Sequence, residues 1–99
     1  MTQFTEEVLI IIQKIPYGRV MSYGQVARLA GNARGARQVV RILHSMSQKY
    51  NLPWHRIINS KGRISIMENR HAVAQRELLQ AEGVVVSEDG YIELSIYGI

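Results

Sequence analysis

Cysteine is absent from this sequence of 99 residues, and histidine occurs only three times. Without cysteine the chain can form no disulfide, no thiolate nucleophile and no cysteine-ligated zinc site. The three histidines are scattered along the sequence rather than clustered. We therefore expect neither a metal site nor a cofactor.

Long apolar segments are lacking as well. The longest run, residues 8–12, is too short to cross a bilayer, and the N-terminus lacks the basic region and apolar core of a signal peptide. We therefore expect no membrane association and a cytoplasmic location, which in a bacterium means the cytosol and nucleoid.

Acidic residues are missing from most of the chain. Residues 8–67 contain ten lysines and arginines and no carboxylate, whereas all eight acids lie before or after this stretch. Solvated basic surfaces are common in small proteins. A stretch of this length without any acid favours binding to a polyanion, and nucleic acid in particular.

The length predicts one domain that spans residues 1–99. Apolar residues at helical spacing predict a first helix over residues 2–14, which the sequence Pro16-Tyr17-Gly18 terminates. Ser22 and Gln25 form a capping-box pattern for a short second helix that ends at Gly31.

A third helix is predicted over residues 33–49, with Gly35 in its first turn. Its apolar residues lie on one side, and Arg34, Arg37 and Arg41 lie on the other. A short helix, a tight turn and a longer helix with an arginine-lined face are typical of a helix-turn-helix, in which the longer helix contacts DNA.

The second half of the chain predicts small β hairpins around one further helix. Residues 57–58 and 63–66 suit a first hairpin with its turn at 59–62, residues 70–82 suit the helix, and residues 84–87 and 91–96 suit a second hairpin. The predicted fold is mainly α with small β hairpins, and it is similar to a winged helix-turn-helix.

Seven motifs follow the order found in the C-terminal domain of O6-alkylguanine-DNA alkyltransferases, which the chain resembles over nearly its whole length. They are Ile-Pro-Tyr-Gly-Arg-Val at 15–20, Ser-Tyr-Gly-Gln-Val-Ala at 22–27, Gly-Asn at 31–32, Ala-Arg-Gln-Val at 36–39, Pro-Trp-His-Arg-Ile-Ile at 53–58, glycine at 62 and Leu-Leu-Gln-Ala-Glu-Gly at 78–83. Those enzymes carry Pro-Cys-His-Arg, so Trp54 stands where they keep the alkyl-accepting cysteine. The chain is therefore similar to the alkyltransferase-like proteins.

The resemblance implies roles for residues that contact DNA. Arg37 is similar to the arginine that fills the space left by a flipped nucleotide, and Tyr23, after Ser22, is similar to the tyrosine that rotates the phosphate next to it. Arg34 and Arg41 lie beside Arg37 on the DNA-binding face. Unstacking a base costs a few kcal/mol, which these contacts offset.

The resemblance also implies a pocket for the flipped base, lined by Trp54 and Tyr23. His55, Arg56 and Glu82 match residues of the active-site turn, and we expect them to form the pocket wall. Two departures from the family are visible: Ser45-Met46-Ser47 replaces a Gly-Asn sequence, and residues 66–70 replace a loop that closes over the base. In that loop Asn69 or Arg70 could donate a hydrogen bond to the alkylated oxygen.

The expected function is recognition of O6-alkylguanine in duplex DNA through the minor groove, without alkyl transfer, by a monomer. The resemblance alone implies the next step, which is to mark the lesion for nucleotide excision repair proteins. One alternative is a sequence-specific helix-turn-helix regulator, although no dimerisation pattern is evident. The other is an enzyme, either a residual alkyltransferase or a hydrolase in which His55 and Glu82 activate water.

Overall fold

The computed structural model describes residues 1–64 and 69–99 and is mainly helical with one small sheet. This confirms the predicted fold class. In chain order the elements are α1 (Gln3–Gln13), β1 (Met21–Ser22), α2 (Tyr23–Leu29), α3 (Ala36–Tyr50), a 3₁₀ turn (Trp54–Arg56), β2 (Ile57–Ile58), α4 (Arg70–Ala81) and α5 (Leu94–Tyr97). Within the described ranges, no helix is both long and apolar enough to cross a membrane.

The first three helices pack around one apolar core. α1 begins after Thr2, whose side chain accepts a hydrogen bond from the Thr5 amide, and it ends at Lys14, so the predicted helix is confirmed. The core is made of the residues that these helices and the neighbouring segments bury: Val8, Leu9, Ile12, Ile15, Met21, Val26, Ala27, Val39, Ile42, Leu43, Leu52 and Ile57.

The capping box of α2 forms as predicted, because Ser22 Oγ accepts from the Gln25 amide and the Gln25 side chain accepts from the Ser22 amide. The predicted start of α3 at residue 33 is wrong. Asn32 holds residues 33–35 in a turn instead, since its side-chain oxygen accepts from the Arg34 amide and its carbonyl from the Gly35 amide.

Gly35 is therefore the residue that precedes α3, not part of its first turn. A Cβ atom at this position would lie 2.7 Å from Cζ of Phe4. A side chain at this position would meet the tip of the Phe4 ring, where α1 approaches the start of α3.

The predicted hairpin between residues 57–58 and 63–66 is wrong in its pairing. β2 instead pairs in parallel with β1, with Met21 opposite Ile57. Both residues of β2 are buried, and this pairing places them between the first core and a second one. Arg63 forms an antiparallel bridge with Tyr91, and the remainder of that predicted strand, residues 65–66, lies outside the described residues.

The second predicted hairpin retains only its turn. The Ser87 amide donates to the Tyr91 carbonyl, but Glu93 then starts the short helix α5 by accepting from the Ser95 amide.

α4 forms where predicted, with Glu82 as its C-terminal cap. A second core joins α4 to the extended segments through Val20, Ile58, Ile64, Leu79, Val84, Val86 and Ile92.

Candidate nucleic-acid interface and base cavity

The N-terminal half of α3 presents cations to solvent. Arg37 and Arg41 are exposed on the helix, and Arg34 is exposed in the turn before it. None of the three has an ion-pair partner among residues 1–64 and 69–99. A cluster of cations without local carboxylates is suited to phosphate contact.

The C-terminal half of the same helix lines a cavity of about 500 Å³. This volume lies within the usual range for small-ligand sites. The lining comes from α2, α3, the segment after α3, the 3₁₀ turn and the start of α4: Tyr23, Val40, Leu43, His44, Ser47, Gln48, Asn51, Leu52, Trp54 and His71. Tyr23 and Trp54, both expected in a pocket from the sequence, therefore share one cavity.

Trp54 is positioned by the backbone of its own turn. Its amide donates to the Leu52 carbonyl over 2.8 Å, and the Arg56 amide donates to the Pro53 carbonyl over 3.0 Å. The indole packs against the ring of His71, with 4.3 Å between ring centroids and 30° between ring planes. The Trp54 side chain is thus held between the 3₁₀ turn and the first turn of α4.

Tyr23 forms another part of the cavity lining. Burial raises the pKa of its phenol. The hydroxyl therefore stays protonated at neutral pH, where it can both donate and accept a hydrogen bond.

Glu82 connects three segments next to the 3₁₀ turn. Its carboxylate accepts from His55 Nε2 at 2.6 Å, from Arg56 Nη2 at 2.8 Å and from the Gly18 amide at 2.7 Å. Arg56 Nη1 also donates to the Ile15 carbonyl at 2.8 Å. Only 8% of the Glu82 side chain is exposed.

These contacts decide the charge of the carboxylate. Burial by itself raises the pKa of Glu82, but hydrogen bonds from Arg56, the Gly18 amide and His55 outweigh burial and lower it to about 2. Glu82 is therefore ionised at neutral pH. None of the three side chains, His55, Arg56 and Glu82, is part of the cavity lining. They brace the turn that carries Trp54.

Asn69 and Arg70 are exposed and do not line the cavity. The side-chain oxygen of Asn69 accepts from the Ala72 amide at 2.9 Å and caps α4. The next residue, His71, lines the cavity instead. Residues 66–68 of the expected closing loop lie outside the described residues.

The serines that replace the family's Gly-Asn sequence hydrogen-bond to their own helix. Ser45 Oγ donates to the Arg41 carbonyl at 2.9 Å, and Ser47 Oγ donates to the Leu43 carbonyl. A buried residue that the sequence analysis missed, Gln75, provides a different connection: its amide donates to the Ile57 carbonyl at 3.0 Å and ties α4 to β2. Its polar side chain gives no sequence signal of burial.

His44 and His71 were also missed as cavity residues. His44 lies two turns after Arg37 on nearly the same side of α3, and His71 follows a segment whose fold the sequence leaves open. Only the folded arrangement of α3 and α4 brings both to one cavity.

Comparison with known proteins gives concordant results. The family model for the DNA-binding domain of 6-O-methylguanine DNA methyltransferase matches residues 3–84. A DNA base-flipping protein of Escherichia coli is 45% identical over 94 residues, which cover 95% of this chain and 72% of that protein. A DNA base-flipping protein of Vibrio parahaemolyticus is 41% identical over 97 residues, which cover 98% and 96%.

A solved structure shows the same fold. The chain is similar to Schizosaccharomyces pombe Atl1 in complex with damaged DNA containing O6-carboxymethylguanine, with a TM-score of 0.84 and 34% identity. The match covers 100% of this chain and 96% of that one.

Proposed function

We propose a function from one premise: this chain belongs to the family of 6-O-methylguanine DNA methyltransferase DNA-binding domains, and within it to the alkyltransferase-like proteins. The protein recognises DNA damage. Its target is O6-alkylguanine in duplex DNA, which it binds from the minor groove, flips and retains without removing the alkyl group.

The main support for this proposal is that α3 contributes both to the arginine face and to the wall of the cavity. Exposed arginines mark its N-terminal half, and the cavity opens beside its C-terminal half. Arg37 and His44 are separated by about 10 Å along the helix axis, since an α-helix rises about 1.5 Å per residue. A helix that contacts the duplex at one end therefore offers a cavity for an extruded base at the other.

Base flipping requires that the vacated space be filled. In this proposal Arg37 enters the base stack, and Arg34 and Arg41 contact neighbouring phosphates. Tyr23 lies at the start of α2 and on the cavity wall. In this proposal it turns the phosphate of the flipped nucleotide, with Ser22 beside it. Charge-assisted contacts of this kind offset the few kcal/mol that unstacking costs.

Alkyl transfer needs a nucleophile that this chain does not have. The sequence contains no cysteine, and the indole of Trp54 is not a thiolate equivalent at neutral pH. Water activation by His55 is not part of this proposal, because His55 and its partner Glu82 lie outside the described cavity lining. In this proposal the network of His55, Arg56 and Glu82 stabilises the turn that carries Trp54.

The lesion therefore stays in place after binding, and another system must remove it. We propose that the monomeric complex marks the site for nucleotide excision repair proteins. The proposed function places the protein with the DNA, in the cytoplasm of a bacterial cell. The family favours this function over a sequence-specific transcription regulator.

Fluorescence of Trp54 tests the proposal directly, since this is the only tryptophan of the chain. Two duplexes of identical sequence are titrated, one with guanine and one with a single O6-methylguanine, and the recovered DNA is then analysed for the methyl group. We expect about tenfold tighter binding of the modified duplex or more, equivalent to about 1.4 kcal/mol, with the methyl group still on the base. Equal affinity for both duplexes would contradict lesion recognition. Loss of the methyl group would contradict binding without alkyl removal.

A further inference from the structure

An open groove of about 600 Å³ lies at the C-terminal end of α1. Lys14 and Arg19 form part of its lining, and the rest is apolar: Ile11, Ile15, Pro16, Met21 and Ile99. We propose that this α1 groove binds a segment of another protein in which apolar side chains are flanked by carboxylates. The inference rests on the proposed function, because a protein that leaves the lesion on the DNA needs a surface for another protein.

The apolar side of the α1 groove is built into the fold. Ile15 and Met21 are buried in the first core, and Ile11 packs against that core. Ile99 is held by its backbone, since its amide donates to the Val20 carbonyl at 3.3 Å. More than half of the Ile99 side chain is nevertheless exposed. A partner that covers it gains from burying apolar surface on a wall that is already formed.

Arg19 is held in place at the groove by the segment that follows α5. Its Nη1 donates to the Ile96 carbonyl at 3.0 Å and to the Gly98 carbonyl at 3.4 Å. A guanidinium has five N–H donors, and these two contacts use Nη1 alone. The exposed Arg19 can therefore offer Nε and Nη2 to a carboxylate through two parallel hydrogen bonds.

Lys14 provides a second cation at the end of α1, where its side chain is exposed. Neither Lys14 nor Arg19 has an ion-pair partner among residues 1–64 and 69–99. Two cations beside an apolar surface complement a partner with both carboxylates and apolar side chains. A DNA backbone would match the cations alone, so the apolar wall favours a protein segment.

The α1 groove and the arginine face lie at opposite ends of the same helix. Phe4, at the start of α1, reaches Gly35 just before α3, because a Cβ atom there would lie 2.7 Å from Phe4 Cζ. Lys14 follows Phe4 by ten residues, which corresponds to about 15 Å along the helix axis. This distance exceeds the Debye length of about 8 Å at physiological ionic strength. DNA and a protein segment can therefore be bound at the same time.

The probe is the labelled peptide Asp-Glu-Leu-Asp-Glu-Leu-Leu-Glu, and Asn-Gln-Leu-Asn-Gln-Leu-Leu-Gln is its uncharged control. Anisotropy measures the binding of each peptide to the protein alone and to the protein saturated with O6-methylguanine duplex. We expect the acidic peptide to bind about tenfold more tightly than the control, the scale of hydrogen bonds to charged groups. Saturation with duplex should change the affinity by less than about threefold, because the charges are screened.

The variant K14Q/R19Q removes both charges and keeps polar side chains. Both residues are exposed, so the variant should fold, which circular dichroism checks. We expect the preference for the acidic peptide to fall below about twofold, with unchanged affinity for the lesion duplex. R28Q/K49Q is the matched control, because it removes one exposed arginine and one exposed lysine outside the groove lining and should retain the preference.

A second variant, I99S, shortens the apolar wall without changing the charge. It should weaken both peptides alike, by about fivefold, because less apolar surface is buried. An unchanged affinity for both peptides in I99S would overturn the apolar part of the site.

Several results would overturn the α1 groove as a site for an acidic protein segment. One is equal affinity of the wild type for both peptides, and another is an acidic preference that persists in K14Q/R19Q. Displacement of the duplex by the acidic peptide would assign the peptide to the arginine face, and weaker duplex binding by K14Q/R19Q would make the groove a DNA contact. A wild-type dimer in sedimentation that K14Q/R19Q dissociates would identify a second copy of the chain as the occupant.

Failure of the proposed function has a separate signature. Equal affinity for unmodified and O6-methylguanine duplexes overturns lesion recognition. Peptide binding to the protein without DNA is unaffected by that result.

Discussion

Nε2 of His55 and Oε2 of Glu82 lie 2.6 Å apart, although the two residues are 27 positions apart in the sequence. The same carboxylate binds Arg56 and the Gly18 amide. We expect Glu82→Gln to destabilise the fold by about 3 kcal/mol, because it leaves a largely buried guanidinium without its counter-charge. Urea denaturation followed by Trp54 fluorescence measures the change.

The exposed ion pair between Arg63 and Asp89 provides the control. Its side chains are about half exposed, so Arg63→Gln should cost less than about 1 kcal/mol. Equal losses in Glu82→Gln and Arg63→Gln would show that the Glu82 network contributes no more than a surface pair.

The lowered pKa of Glu82 predicts a specific pH dependence. A carboxylate whose pKa falls from 4.5 to about 2 on folding contributes stability that is fully present above pH 4.5. This contribution, about 3 kcal/mol at about 1.4 kcal/mol per pKa unit, is lost as the pH falls toward 2.

Free energies of unfolding measured from pH 7 to pH 2 test this dependence. The difference between the wild type and Glu82→Gln should be constant above about pH 5 and should shrink below pH 4.5. Asp89 and Glu93 also have lowered pKa values, through hydrogen bonds from Ser87 and Ser95. They affect both proteins alike, so a difference that does not change with pH would contradict the role assigned to Glu82.

Arg37→Ala should weaken binding to a lesion-containing duplex more than binding to an undamaged one. An inserted side chain contributes only when the base is flipped, and unstacking costs a few kcal/mol, so we expect a loss of about tenfold or more for the lesion duplex. Arg28→Ala, at an exposed cation on α2, should weaken both duplexes slightly and equally. Similar effects of the two variants would refute an intercalating role for Arg37.

Trp54→Ala should reduce the affinity for O6-methylguanine duplex by about tenfold, because stacking of one base on an aromatic side chain is worth about 1–3 kcal/mol. Binding to undamaged duplex should stay within about twofold, since Trp54 lines the cavity rather than the arginine face. Trp54→Phe retains an aromatic ring and should keep most of the lesion affinity. Anisotropy of labelled DNA is the measurement. Parallel losses for both duplexes would place Trp54 outside lesion recognition.

Two glycines near the helix-turn-helix should respond to alanine in opposite directions. At Gly35 the new Cβ meets Phe4 Cζ at 2.7 Å and the Asn32 carbonyl oxygen at 3.1 Å, whereas at Gly24, inside α2, no atom beyond its chain neighbours and the local helix backbone lies within 4 Å. We expect Gly35→Ala to cost about 1–3 kcal/mol and Gly24→Ala to add about 0.5–1 kcal/mol. Urea denaturation measures both.

The variant Phe4→Leu offers a check on the cause at Gly35. Combined with Gly35→Ala it removes the ring tip that the new methyl group meets, so part of the lost stability should return. A strictly additive double variant would show that the loss has another origin.

The sequence by itself determined those features that depend on near neighbours along the chain. Apolar spacing and caps placed α1 and α4, and Ser22 with Gln25 predicted the capping box that forms. Helix periodicity and capping act over a few residues, so they can be read locally. The ordered motifs likewise indicated the family, which the comparisons confirmed.

Tertiary structure decided every feature that joins distant segments. Ile57 pairs with Met21 rather than with its local neighbours, because burial between two cores outweighs the nearby turn signal. His44 and His71 reach one cavity only through the packing of α3 and α4 around Trp54. Contacts of this kind depend on the whole folded arrangement, and a pattern of residue types along one segment does not encode them.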